Sequence, residues 1–506
     1  MAQPTEETYD VVVIGAGAVG ENVADRASRT GLSVAVVEQA LVGGECSYWA
    51  CMPSKALLRP GAALAAATAV RGAAGAVTGG VDVAATLATR DAIVHGWDDG
   101  SQVDWLEGAG LHLVRGRGRL AGPRRVEVAD DDGVLRAVVH ARHAVVVATG
   151  SAPTVPDVPG LAEVDPWTSR DATAVRDVPG SLAVVGGGVV GAEMATAYAD
   201  MGARVTLLVR GDRLLPGLEP FAGEAVAEGL AALGVDVRLR TQVVRAARVP
   251  GDSRVRLHLG DGGSLEADRV LLATGRRPRT VDLGVETVGL APGAPLETDD
   301  AGRVTAVADG WLWAAGDVTG RAHTTHQGKH HARRTGDVIA ARFGGGDADG
   351  AAGGAAGGGA DGAAGGGADG AAEAALGDAL AEGPRLADGA GAPQVVFTRP
   401  EVAAVGLTEE AARRAGREVR VVDVPFASTG GATVFGDDAG AARLVVDADR
   451  EVLVGATFVG PEVAEMLHAA TIAVVGEVPL RRLWQAVPPY PTRSEIWLRL
   501  LEAYGL

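Results

Sequence analysis

A chain of 506 residues is too long for one core, and its 47% hydrophobic content is ample for three or four packed domains. Its net charge of −18, from 46 basic against 64 acidic residues, argues against nucleic acid or an anionic membrane surface as a partner. Two cysteines are too few for a secreted disulfide scaffold, and apolar runs such as Val11–Ile14 and Val145–Ala148 are strand length, far short of a membrane span.

The opening residues, Met1 to Glu7, carry neither a basic stretch nor an apolar core, so no signal peptide is expected and the reading is a soluble cytoplasmic enzyme. Tyr9–Ile14 reads as a buried parallel strand, which Gly15, Gly17 and Gly20 turn into a helix. A second strand, Ser33–Val37, ends at Glu38. Strand, glycine turn, helix and an acid about 20 residues on form a dinucleotide-binding unit. The glycines allow a tight turn and close approach to a pyrophosphate, and the acid takes a ribose hydroxyl.

Gly43-Gly44-Glu45-Cys46-Ser47-Tyr48-Trp49-Ala50-Cys51-Met52-Pro53-Ser54-Lys55 follows. Its two cysteines are five positions apart, where a turn entering a helix brings two thiols within disulfide reach and a helix N-terminus favours a thiolate. Val147–Gly150, which includes Thr149, is a strand running into a turn. A second dinucleotide unit spans Ser181 to Glu193, with Gly186, Gly187, Gly188, Val190 and Gly191 in its turn, followed by the strand Arg204–Val209. Two such units in one chain imply two nucleotides that must meet, for which hydride transfer is the usual reason. Leu272–Pro278, containing Gly275, is another strand and turn, and Trp311–Val318 carries Asp317.

From about Phe343 to Ala392 the chain is almost wholly Gly, Ala and Asp. It has too few large side chains to offset its ordering entropy, so a flexible linker is expected, with a short Ala-rich helix near 371–381. Beyond it, Gln394–Thr408 opens the final segment of the chain.

On these motifs the chain resembles the pyridine nucleotide–disulfide oxidoreductases, the flavoproteins that include glutathione reductase, dihydrolipoamide dehydrogenase and mercuric reductase. The resemblance implies an α/β fold with two Rossmann-like domains, for FAD and NAD(P), and a C-terminal α+β interface domain. The expected segments are 1–158 (FAD domain with the cysteine pair), 159–280 (NAD(P) domain), 281–343 (returning FAD segment), 344–392 (linker) and 393–506 (dimerisation domain). It implies a homodimer whose active site is shared across the interface. Cys46 becomes the interchange thiol and Cys51 the thiol nearest the flavin. Lys55 and Glu193 pair beside the flavin, Asp317 takes a ribityl hydroxyl, and Thr325 stands at the spacing of a second flavin contact. Electrons would pass from the nicotinamide through FAD to the Cys46–Cys51 disulfide and on to a small-molecule acceptor.

Two positions depart from that pattern or refine it. The strand of the second dinucleotide unit ends at Val209-Arg210 rather than at an acid, with Arg213 nearby. Loss of the carboxylate removes repulsion toward a 2′-phosphate and a guanidinium can bind one, so NADPH is expected over NADH. At the C-terminus, Pro489-Tyr490-Pro491-Thr492-Arg493-Ser494-Glu495 places Tyr490 where the family has its proton-shuttling His. A phenol, ordinarily ionising near pH ~10, shuttles protons poorly at neutral pH. Glu495 remains, and His468 is a substitute base without motif support. The alternative is an NAD(P)H:quinone or dye reductase whose cysteines do not turn over. His323, His326, His330 and His331 are expected to line a helix rather than bind metal. The extra C-terminal cysteine pair typical of mercuric reductases is absent, since Cys46 and Cys51 are the only two cysteines.

Overall fold

The computed structural model describes residues 3–321, 323–344, 391–436 and 439–506. The bulk of the expected linker, 345–390, and the helix expected near 371–381 lie outside the described residues. The chain falls into two compact units. One comprises Met1–Tyr48, Val94–Ala152 and Arg276–Arg385, and the other Trp49–Ile93, Pro153–Gly275 and Leu386–Leu506.

The first unit is built on a seven-stranded sheet. Thr5–Ile14 sits at its centre, flanked in parallel by Val34–Glu38 and Leu135–Val147, and Leu312–Ala314 adds a further parallel strand beyond the latter. Val11, Val12 and Val13 are fully buried, as befits a strand covered on both faces. The central strand starts four residues earlier than the apolar pattern suggests. Thr5–Tyr9 pair with Ala137–Ala141 before a bulge resets the register at Val11. Gly15 turns the chain at φ +105°, and a Cβ there would lie 2.5 Å from the Ala148 carbonyl oxygen, so only glycine fits. The helix Ala18–Ser28 follows. The returning helix Thr325–Phe343 packs along it, with Gly328 and Gly336 permitting the close approach.

The second unit holds a four-stranded parallel sheet in the order Asp236–Arg238, Arg204–Leu208, Ser181–Val185, Arg269–Leu272, with the helix Val189–Asp200 after its glycine turn. It also holds the five-stranded antiparallel sheet of the C-terminal segment, ordered Pro393–Val396, Glu401–Gly406, Val452–Gly460, Ala441–Asp447, Val419–Pro425. The helix Cys51–Ala69 buries Leu57 and Leu58 in the same core as Met194, Ala195 and Tyr198 of Val189–Asp200 and Val396 and Val402 of the antiparallel sheet. That shared core fixes the start of the cysteine-bearing helix against the second glycine motif. Among the described residues, no helix is long and apolar enough to cross a membrane.

Candidate active site

In the first unit the glycine turn and the cysteine segment are joined directly. The Gly43 N–H donates to the Ala16 carbonyl at 2.7 Å, and Gly17 bridges to Gly43. A Cβ on Gly44 would come within 2.6 Å of the Gly17 Cα, so these backbones lie in contact. Glu38 accepts from the Ala16 N–H and the Ala40 N–H, each at 2.7 Å. A carboxylate has about four lone-pair sites, so capacity remains for a ribose. Cys46 lies, half-buried, in the short helix Gly44–Tyr48.

Asp317 sits in the turn after Leu312–Ala314 and belongs to a chain of hydrogen bonds. Ser151 Oγ donates to Asp317 at 2.5 Å, Arg276 Nε donates to Ser151 Oγ at 2.7 Å, and Arg276 Nη2 donates to Glu45 at 2.5 Å. Arg279 holds the other Glu45 oxygen at 2.6 Å. His323 lies 3.7 Å from Asp317. Burial works against the Asp317 carboxylate, but hydrogen bonds from His323 and Ser151 outweigh it and hold it below the usual range. The same contact raises His323 above the ordinary imidazole value. Thr149 Oγ1 donates to the Arg279 carbonyl, and Gly150 O accepts from the Arg279 N–H, so the segment with Thr149 and Gly150 is tied to the same arginine stretch. Thr325 begins the helix that packs on the first glycine turn.

These residues fit a dinucleotide. The backbone-to-backbone cradle at Gly15, Gly17 and Gly44 leaves no room for side chains, and Glu38 sits at the end of the second strand. Beside them Glu21, in the first turn after the glycines, keeps one carboxylate oxygen buried without a hydrogen-bond partner. Burial pushes its pKa up to about 7, the nearby Lys329 opposing and Glu38 adding to the shift.

In the second unit Cys51, half-buried, is the first residue of its helix, and Lys55 lies one turn on. Lys55 Nζ donates to Glu193 Oε2 at 2.8 Å, with the Glu193 side chain 4% exposed. The sequence-expected pair is therefore formed. Gly188 caps the helix Val189–Asp200, whose first turn carries Val190 and Gly191, with Glu193 following in its first half. Gly186 takes φ +122° and Gly275 φ +114°. Val209 is buried against Gly187, while Arg210 is exposed and has no ion pair among the described residues. Arg213 instead donates to the Pro216 carbonyl at 3.1 Å.

Tyr490 is 76% exposed and precedes a cis peptide bond to Pro491. Its ring lies over Gly430, where a Cβ would meet it at 2.6 Å. Glu495, buried, does not hydrogen-bond the phenol. It accepts from the Gly430 N–H at 2.8 Å and from Arg499 at 2.9 Å. His468 is exposed, and of the four histidines near the flavin segment only His331 is buried. Among the described residues no three His, Cys, Asp or Glu side chains are grouped to hold a metal. A separate open cleft of about 770 Å³ is lined by Trp49, Trp167 and Arg170, with Arg170 stacked 4.0 Å over the Trp49 ring.

Sequence reading missed Glu45, Arg276, Arg279, Ser151 and Phe397. The Glu45–Arg276 pair joins residues 231 positions apart, which no local pattern reveals. Phe397 donates its backbone N–H to Glu193 Oε1 at 3.0 Å, and a backbone donor leaves no signature in residue type.

Residues 9–336 match the family described as pyridine nucleotide-disulphide oxidoreductase, and residues 392–500 match its dimerisation domain. The chain is 34% identical to dihydrolipoyl dehydrogenase 3 of Pseudomonas aeruginosa, over 97% of this chain and 96% of that one. It is 32% identical to a mercuric reductase of Streptomyces lividans, over 96% and 94%. The fold is shared with the HOCl-induced flavoprotein disulfide reductase RclA of Escherichia coli in its Cu(II) complex, at TM-score 0.78 and 24% identity, covering 98% and 99% of the two chains. With both its nucleotide-binding portion and its dimerisation domain matched, the chain belongs to the pyridine nucleotide-disulphide oxidoreductases, flavin-dependent enzymes that work with FAD and NAD(P)H.

Proposed function

We propose that two electrons from NADPH reach a Cys46–Cys51 disulfide by way of FAD and pass on to a small disulfide or other small acceptor in the cytoplasm, FAD supplying when bound the link between a hydride donor and a dithiol. The observation that carries this reading is the Lys55–Glu193 pair. A buried carboxylate holds an ammonium one turn from Cys51, on the helix that Cys51 begins. A fixed cation there favours negative charge on whatever it faces.

The dithiol chemistry belongs to this chain. Cys46 as thiolate attacks one sulfur of the acceptor, forming a mixed disulfide and releasing the other sulfur as a thiolate that takes up a proton. Cys51 as thiolate then attacks the Cys46 sulfur, restoring the Cys46–Cys51 disulfide and releasing the second thiolate, which is protonated in turn. Each turnover consumes one NADPH and one solvent proton: NADPH leaves as NADP⁺ after giving up a hydride, equivalent to two electrons and one proton, and with the solvent proton the acceptor disulfide leaves as two thiols. In a homodimer Tyr490 of the partner subunit and Glu495 of the partner subunit stand at the acid–base end of this site, where a phenol is a poor proton shuttle at neutral pH. Arg210, exposed beside the second glycine turn, receives the 2′-phosphate.

Tyr490 in place of His favours a second reading, a quinone or dye reductase in which the cysteines stay idle. NADPH oxidation by wild type, Cys46→Ser and Cys51→Ser over a panel of small disulfides and quinones separates the two. Disulfide turnover lost in both variants supports the first. Quinone turnover unchanged in both, with no disulfide reduced by wild type, establishes the second.

A further inference from the structure

The Lys55–Glu193 pair has a third member. Phe397 lies in the connection between the strands Pro393–Val396 and Glu401–Gly406 of the C-terminal sheet. Its backbone N–H donates to Glu193 Oε1 at 3.0 Å, while Lys55 takes Glu193 Oε2 at 2.8 Å. The same residue turns its ring toward the cation, with Lys55 Nζ 4.9 Å from the ring centroid. That lies within the roughly 6 Å over which a ring face attracts an ammonium. Lys55 is thus held by a carboxylate and by an aromatic face, and both holds involve one residue of the connection between two strands of the C-terminal sheet.

The rest of this connection is anchored to the same helix. Arg399 forms a bidentate pair with Asp200, the last residue of Val189–Asp200, while Glu193 sits in its first half. The two contacts together fix Phe397 relative to the helix that presents Glu193. Phe397 is half-buried against the core that holds Leu57 and Val396, so its ring has little freedom to leave.

We propose that Phe397 is a positioning residue for electron transfer, its backbone N–H aiming Glu193 and its ring face holding the Lys55 ammonium in place. This rests on the reading above, in which Lys55 faces the flavin. The backbone and ring roles separate cleanly, because every substitution except proline keeps the N–H. Phe397→Leu keeps the apolar contact and the Glu193 hydrogen bond and loses the ring face. Phe397→Tyr keeps all three.

The test uses the FAD-loaded dimer. The flavin midpoint potential is measured by equilibration with a reference dye, and the rate of flavin reduction by NADPH is followed anaerobically, for wild type, Phe397→Leu, Phe397→Tyr, Lys55→Met and the double variant Lys55→Met/Phe397→Leu. A less firmly held cation stabilises reduced flavin less. Phe397→Leu is therefore expected to shift the potential to more negative values and to slow reduction by about two- to thirtyfold, the range that a cation–π contact spans, with the KM for NADPH unchanged. Phe397→Tyr should match wild type, and the double variant should equal Lys55→Met, since without the ammonium the ring has nothing to hold. If Lys55→Met shifts both readings while Phe397→Leu shifts neither, or if the two changes add in the double variant, Phe397 does not position Lys55. If Lys55→Met itself leaves the potential unmoved, the placement of Lys55 beside the flavin falls, and the role of Phe397 falls with it.

Discussion

Arg210 and Glu21 each owe their behaviour to what their neighbours leave undone. Arg210 is exposed just beyond the strand Arg204–Leu208, has no ion pair among the described residues, and follows Val209, the position at which an acid would be expected in an enzyme that uses NADH. A charge-assisted contact to a phosphate is worth roughly 1.5–3 kcal/mol, so Arg210→Ala should raise the KM for NADPH by about tenfold or more and leave the KM for NADH nearly unchanged. Equal losses for both nucleotides in steady-state kinetics would reduce Arg210 to a structural role. Glu21 lies on the other nucleotide unit, with burial pushing its pKa up to about 7 from 4.5. The folded protein keeps a proton there that the unfolded chain sheds above about pH 4.5, so the associated stability is present at low pH and is lost as pH rises through 7. Glu21→Gln should stabilise the protein by about 3 kcal/mol at pH 8 and by almost nothing at pH 4. Thermal melts of both proteins across that range decide it, and a gain that does not vary with pH excludes titration of Glu21 as its source.

At the scale of elements, the parts legible in the sequence are those whose physics is local. A glycine at φ +105° between a buried strand and a helix is dictated within a few residues, so both nucleotide-binding turns could be read directly. The strands Glu401–Gly406 and Val452–Gly460, by contrast, are apolar and buried almost throughout and show no alternation, so their antiparallel pairing was implied by the resemblance and not by a local pattern. The start of the central strand was less legible. Glu6 and Glu7 are too polar to look like a strand, and they join the sheet because Leu135–Val147 offers them a partner. The same limit applies to the site. Cys46, Cys51, Lys55 and Glu193 stand at motif positions, whereas the clamp from Glu45 through Arg276 and Ser151 to Asp317 depends on three segments far apart in the chain. Phe397 is the extreme case. Half of its role is a backbone N–H, which any residue but proline would supply.

The whole molecule is an assembly question, because the family's C-terminal domain is a dimerisation domain and this one exposes Val487 (82%) and Tyr490 (76%). Under the function proposed above, each chain of the homodimer lends the Tyr490 region to its partner's cysteines, which makes proton supply and dimerisation one problem. The structure shows what stands ready for an imidazole at that place. Glu495 is buried, with its two oxygens already accepting from Gly430 and Arg499, yet each oxygen can accept once more. A phenol that makes no hydrogen bond to Glu495 gains no help from it as a base. Wild type should therefore turn over small disulfides weakly, and Tyr490→His should raise that rate, since general acid–base catalysis contributes roughly 10²–10⁴-fold when the geometry is right. The gain should be largest between about pH 6 and 8, where an imidazole changes charge, and it should vanish in a Tyr490→His/Glu495→Gln double variant if the carboxylate orients the ring. Disulfide turnover by the three proteins from pH 6 to 9, with dimer content checked by sedimentation, reads all of this at once. A His variant that remains dimeric and gains nothing at any pH places the proton source elsewhere in the dimer, with water or the exposed His468 as the next groups to replace.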